Sequence, residues 1–258
     1  MEKLITKDTI RRFAYSNVHL LKEPARGIVV SFFGLGYNRM QDADTEEGIF
    51  FAEHGILYLF PYNAPWCWMD REAVLFTDEV IDAMVAGLSL PEDIPVVLMG
   101  GSMGGLSALV YSRYAARTPV ACVVNCPVCD LPYHYTERED LPRTLYHAFF
   151  FEEGKIGDVL RTASPLHLAP EMPDIPYYVF HCCNDKAVNK QKHSDRFVEA
   201  MRASGHRVEY FEVPGRGHCA LPYDLHARYL SLCVGAISCF SKEKPYFSEE
   251  KKAKDFLF

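Results

Sequence analysis

The segment Pro95-Val-Val-Leu-Met-Gly-Gly-Ser-Met-Gly-Gly-Leu-Ser-Ala-Leu109 decides how the chain folds. An unbroken apolar run leads into two glycines, then one serine, then a helix-forming stretch. Gly100-Gly101-Ser102-Met103-Gly104 fits G-x-S-x-G, and Gly105 follows. The physical sense of that pattern is a strand delivered to a sharp turn, with the serine at its tip in a strained backbone conformation. Glycines flank it because strand and helix pass too close for side chains. The amide of Met103 and the helix N-terminus then face whatever bonds to the serine oxygen. A random chain of this length carries about 0.1 such matches. The context, apolar strand before and helix after, is what gives the motif its weight.

The same rhythm extends to either side. Residues 27–33 form a continuous apolar strand ended by Gly34-Leu-Gly36, and residues 55–60 form another, stopped by Pro61. Continuous rather than alternating apolarity predicts strands buried on both faces, as in a parallel sheet covered by helices. Helices are expected over 42–54 and over 71–88, where Val74, Val80, Ile81, Met84 and Val85 recur near the 3.6 period. Thr118-Pro119 breaks the helix after the motif, and residues 120–125 give a further strand. A short strand is possible near 12–21. The alternation predicts an α/β fold, a doubly wound, mostly parallel sheet.

Between Pro127 and Pro173 the alternation lapses. Prolines 132, 142, 165, 170 and 173 fall here, with one short helical piece around 143–153. This is expected to be a small helical cap inserted at about 127–173. Order returns with a strand at 176–181, a helix at 191–204 ended by Gly205, a strand at 207–213 and a helix at 223–240. The charged tail from Ser241 is expected to pack little before Phe256-Leu-Phe258.

At 258 residues the chain fits one large domain carrying such an insertion. Hydrophobic residues at 49% and charged residues at 24% are ordinary for a globular protein. The net charge of −7, with signs interspersed, disfavours nucleic acid, since no basic stripe exists to displace counterions. No run is apolar for the ~18 residues of a membrane span, and the N-terminus has no signal-peptide core. The nine cysteines, an odd number scattered through apolar runs, point to a reducing, cytoplasmic setting. Oligomeric state is not legible.

A serine hydroxyl is a poor nucleophile at neutral pH. It needs a base, and the base needs an orienting acid. Elbow enzymes place these in the chain order Ser, Asp or Glu, His. After Ser102 the chain supplies Asp185, just past the strand ending at His181, and His218, just past the strand ending at Val213. All three lie beyond the C-terminal ends of expected parallel strands, the sheet edge where α/β ligand sites form. Asp130, beyond the strand ending near Asn125, is a rival acid. Met103 N–H is one expected oxyanion donor. The turn at 33–36 is expected to hold a second.

At these residues the chain resembles the α/β-hydrolase superfamily, and within it the catalytic domain of the prolyl oligopeptidase family. Three features carry the resemblance: Gly-Gly-Ser102-Met-Gly-Gly; Ser164-Pro-Leu followed by His181-x-x-x-Asp185-x-x-Val188; and the Gly217-His218 turn. They span roughly residues 27–240. The chain departs from the family pattern at Cys182, where glycine is usual, and at Asn189, where proline is common. The resemblance implies Ser102, Asp185 and His218 as catalytic triad, with Asp185 favoured over Asp130. It also points to Leu35, with Gly34 as near alternative, as the second oxyanion donor. Family peptidases often carry an extra N-terminal domain, whereas about two dozen residues precede the first long strand here. The expected activity is therefore hydrolysis of a small acyl ester, thioester or amide through an acyl-enzyme, with no cofactor and no metal. Acyl transfer by the same residues, or a non-catalytic binding protein on this fold, are the alternatives.

Other residues carry less. Aromatics gather near the expected site edge, at Phe32, Phe33, Tyr37, Tyr62, Trp66 and Trp68. Tyr37, Asn38 and Trp66 are the candidate substrate contacts. Cys126-x-x-Cys129 lacks the second pair that a zinc site needs, so buried thiols are expected. His181 reads as a structural residue at a strand end. Cys182, Cys183 and Cys219 are expected to border the site.

Overall fold

The computed structural model describes residues 3–63 and 65–243, with the side chains of 241–243 set aside. The expectation for the charged tail lies outside the described residues. Among those described, the short β1 (Ala14–Ser16) opens a seven-stranded sheet. The other strands follow as β2 (Ile28–Phe32), β3 (Leu57–Pro61), β4 (Val96–Gly101), β5 (Ala121–Asn125), β6 (Tyr177–Cys182) and β7 (Val208–Val213). Their spatial order is β1-β3-β2-β4-β5-β6-β7. β1 runs antiparallel to β3, and every other pairing is parallel. β1 is shorter than the expected span because the buried Asn17 ends it. Its Oδ1 accepts the Tyr58 N–H at 2.8 Å, and its Nδ2 donates to the Gly48 carbonyl at 2.8 Å.

Helices cover both faces, as two-sided burial of the strands requires. α1 (Glu46–Glu53) and α9 (Tyr223–Glu243) lie on one face, where Phe51, Tyr229, Leu230, Cys233 and Ile237 meet Val97, Met99, Val123 and Phe180. On the other face α2 (Arg71–Gly87), α3 (Met103–Tyr114) and α8 (Ser194–Ala203) bury Val80, Met84, Leu106, Leu109, Phe197 and Met201 against Val30, Leu98, Val124 and Val179. Successive strand residues thus alternate between two cores, the period-2 geometry of a pleated strand. Local capping sets the helix starts. α1 begins at Glu46 rather than 42 because Thr45 accepts the Gly48 N–H at 2.9 Å. Asp70 caps α2 through the Ala73 N–H at 2.8 Å.

The connection from β5 to β6 holds more helix than the prolines foretold: α4 (Leu131–Glu137), α5 (Leu141–Ala148), α6 (Ile156–Thr162) and α7 (Pro165–Leu168). Prolines sit in the first turns of α4, α5 and α7, where no amide donor is needed. They therefore start helices rather than interrupt them.

The chain moves outward from β2 to β3, then crosses back to β4 on the other side of β2. That reversal makes the C-terminal ends of β2 and β4 a topological switch point, the usual crevice for ligands in open α/β sheets. Phe32 is in register with Gly100, so the turn after β2 and the turn after β4 emerge side by side.

Candidate active site

Ser102 stands at that crevice, between the last residue of β4 and the first of α3, with φ 58° and ψ −123°. A non-glycine residue holds such angles only when its surroundings enforce them. The Ser102 N–H donates to the Asn125 carbonyl at 3.0 Å, and its own carbonyl accepts the Val128 N–H at 3.3 Å. The glycines are a steric necessity. A Cβ on Gly100 would lie 2.3 Å from the Gly104 carbonyl oxygen, and one on Gly104 would lie 2.1 Å from that of Phe32. From the far side of the sheet, the buried Tyr229 hydroxyl accepts the Gly100 N–H at 3.0 Å.

His218 lies in the loop after β7, and Asp185 in the loop after β6. His218 Nδ1 donates to Asp185 Oδ2 at 2.7 Å. The other carboxylate oxygen accepts the Ala187 and Val188 N–H groups at 2.8 and 3.0 Å. His181 Nε2 approaches Oδ2 at 3.4 Å, and its Nδ1 pairs with Ser194 Oγ at 2.7 Å. The Asp185 side chain is fully buried. Burial alone raises a carboxyl pKa, but the hydrogen bonds from His181, His218 and Val188 outweigh it and hold Asp185 well below the usual range. Burial also opposes a charged imidazole, yet the contacts with Asp185 and Cys126 push His218 up to about 9.

Ser102, His218, Gly34 and Leu35 border one cleft of about 480 Å³, together with Phe32, Gly101, Arg138, Ala187 and Cys219. A Cβ on Gly34 would lie 4.0 Å from that of Ser102, so the turn after β2 passes directly beside the serine. Met103 opens α3, so its N–H is among those a helix cannot pair internally. Nε2 of His218 lies 3.8 Å from Cys219 Sγ. Among the described residues no hydrogen bond joins His218 to Ser102 Oγ.

Asp130 is elsewhere. Its Oδ1 caps α4 through the Tyr133 N–H at 3.1 Å, and its Oδ2 takes Arg196 Nη1 at 2.7 Å. Tyr37, Asn38 and Trp66 are not among the residues lining the cleft. Tyr37 stacks on Phe33 and donates to Gln41, while Trp66 meets Arg143 and His147. Cys126 and Cys129 face different partners: Cys126 Sγ accepts the Cys182 and Cys219 N–H groups, and Cys129 Sγ lies against the Pro127 carbonyl.

Solved structures share this frame. The chain is similar to a puromycin-hydrolyzing peptidase of Mycobacterium tuberculosis, with TM-score 0.68 and 17% identity over 84% of this chain and 34% of that one. It is similar to esterase B from Lactobacillus rhamnosis, with TM-score 0.66 and 13% identity over 86% of this chain and 79% of that one. A third likeness is esterase 2 of Thermogutta terrifontis, with TM-score 0.63 and 18% identity over 90% and 91% of the two chains. The fold is that of the α/β hydrolases. The chain spans about a third of the length of the peptidase. No protein-family model matches the sequence, and no curated protein does.

Among the described residues three side-chain groups have metal-ligand character. Cys126, His218 and Cys219 place their ligand atoms within 4.8 Å of one another, as do His134, Glu137 and His193, and, thirdly, Cys126, His181 and Asp185. Hydrogen bonds account for the second group. His193 Nδ1 accepts the Cys129 and Asp130 N–H groups at 3.0 and 3.1 Å, so Nε2 carries the proton and donates to Glu137 Oε2 at 3.0 Å. His134 Nδ1 lies 2.6 Å from the same oxygen, and Oε1 accepts the Asn189 N–H at 3.0 Å. Burial raises the Glu137 carboxyl, but the two histidines outweigh it and bring it down to about 2. In the first group the contact with Cys219, then burial, push the Cys126 thiol far up, so this sulfur stays neutral beside the histidine.

Sequence reasoning missed Glu137, Arg138 and the contact of His181 with Asp185. The His134–Glu137 spacing of three on a helix was a usable signal. The return of His193 from another element was not.

Proposed function

We propose that this protein is a serine hydrolase acting on a small acyl ester, thioester or amide. One observation carries the reading: a 2.7 Å Asp185–His218 hydrogen bond stands over the same cleft as a strained, glycine-flanked Ser102. Nε2 of His218 takes the Ser102 proton as Oγ attacks the acyl carbon. Asp185 holds Nδ1 protonated, fixing the tautomer and stabilising the imidazolium that forms. The N–H groups of Met103 and Leu35 face the oxygen on which negative charge develops. One such donor is worth about 100- to 1000-fold in rate. His218 then passes its proton to the leaving group. A water molecule, deprotonated by the same nitrogen, releases the acyl group and restores Ser102.

The esterase and peptidase neighbours support this substrate range. A fluorophosphonate probe is expected to add one label to the protein and none to Ser102→Ala. Intact mass that is unchanged after exposure to the probe, in a protein that hydrolyses no p-nitrophenyl ester, overturns the reading.

A further inference from the structure

Beside the cleft lies a second hollow of about 550 Å³, lined by Arg138, Asn184, Lys186, Ala187, Gly217 and His218. Arg138, Ala187 and His218 belong to both. The turn after β2 and Ser102 border only the first. If His218 hands its proton to the departing group, that group leaves on the histidine side, in the hollow that carries Arg138 and Lys186.

Arg138 is built into this rim. It follows directly on Glu137, whose carboxylate is fixed by His134, His193 and the Asn189 N–H. The end of α4 is thereby tied to the loop that bears Asp185. The guanidinium is also oriented: Nε and Nη2 donate to the two oxygens of Asp140, at 2.9 and 2.5 Å. That fork occupies one edge of the group. The Nη1 end remains, and a guanidinium presents a second pair of donors there that matches a carboxylate. Asp140 is engaged on Arg138, Glu137 on the histidines and Asp185 on His218. Lys186 is the second cationic side chain in the lining of this hollow.

We propose that the leaving group of the substrate carries a carboxylate, received by the free end of Arg138 with Lys186 beside it. This rests on the serine-hydrolase reading for its direction, because His218 defines the leaving-group side. A neutral leaving group offers the free edge of Arg138 no charged acceptor, so the site distinguishes acids from their amides.

The test uses the butyryl esters of 4-hydroxybenzoate and of 4-hydroxybenzamide, which differ by one charge. Affinities are measured by calorimetry on Ser102→Ala, where neither ester turns over. Rates of phenol release are measured on the intact enzyme. The carboxylate ester is expected to bind about tenfold more tightly and to show the higher kcat/KM. Arg138→Gln brings both ratios to about one. Arg138→Lys, keeping charge but not the fork, gives intermediate values. Ester hydrolysis with equal affinities, or ratios that Arg138→Gln does not move, overturns the proposal and leaves the hydrolase reading standing. A carboxylate preference that depends on Arg138, in a protein that neither hydrolyses nor labels, upholds the anion site and overturns the hydrolase reading instead.

Discussion

At Asp185, four donors share two oxygens: Ala187 and Val188 N–H on one, His218 and His181 on the other. Such a carboxylate stays ionised and fixed, which a partner for an imidazole base requires. Asp185→Asn is expected to lower kcat by about 10⁴-fold, because the amide favours the wrong tautomer of His218. Asp130→Asn loses a cap and an ion pair, about 1 kcal/mol of stability, and keeps turnover. Loss of turnover in Asp130→Asn alone reverses the assignment of the acid. A second prediction concerns pH. The base must be neutral, and the Asp185 pair raises His218 above the ordinary 6.5, toward about 9. The kcat/KM profile is therefore expected to rise with pH through a midpoint above 6.5, and a profile flat from pH 5 to 9 removes His218 as base. At this scale the chain order Ser, Asp, His was legible because topology alone aligns strand ends. His181 was legible only as structural, since its approach to Asp185 depends on how the loop after β6 folds back.

Between elements, the elbow depends on backbones that touch. β2, α3 and β4 meet at Gly104 and Gly100 with no room for a methyl group. Gly104→Ala places a carbon against the Phe32 carbonyl, which precedes the turn carrying Leu35. It is expected to cost roughly 1–3 kcal/mol and to depress kcat more than KM, by displacing the proposed oxyanion donor. A kcat within twofold of wild type would show that the turn absorbs the shift. Tyr229 supports the same strand from α9, accepting from Gly100 N–H and donating to its carbonyl. The glycines announced this crowding in the sequence. The tyrosine did not, because nothing in a helical period marks which buried hydroxyl reaches a strand some 130 positions away. The start of α1 was misjudged for a related reason, whereas α2 starts at residue 71 as expected. Thr45 and Asp70 both cap, yet an acidic stretch such as residues 42–47 offers several capping residues, and only tertiary contacts choose among them.

Over the whole molecule, the doubly wound sheet was legible because its inner strands, β2 to β6, are apolar runs buried almost throughout, whereas the edge strand β7 carries Glu209 and Glu212 and is half-exposed. Two-sided burial leaves few other solutions. The helical connection from β5 to β6 was less so, since helix-starting and helix-breaking prolines look alike in sequence. That connection is pinned to the sheet's edge by Glu137, and the pin is titratable. Its folded-state pKa, about 2, lies below the ordinary 4.5. A depressed carboxyl contributes stability that is complete above its unfolded pKa and lost as pH falls through the folded one. The window for Glu137 thus runs from 4.5 down to about 2. Asp185, depressed further, acts in the same direction. His218, raised to about 9, acts oppositely, with its contribution fading as pH climbs from 6.5. Melting temperature is therefore expected to be highest in the mildly acidic to neutral range and to fall on the acid side below about pH 4.5. Glu137→Gln should lower it at pH 7 by roughly 5–10 °C, as two histidine donors lose their charged acceptor, a loss of roughly 2–3 kcal/mol. The difference from wild type should shrink as the pH approaches 3, because the unfolded wild-type chain then binds the proton that folded Glu137 still excludes. Calorimetric curves for the two proteins that stay parallel from pH 7 to 3 would show that this carboxylate is not the group linking acid to unfolding.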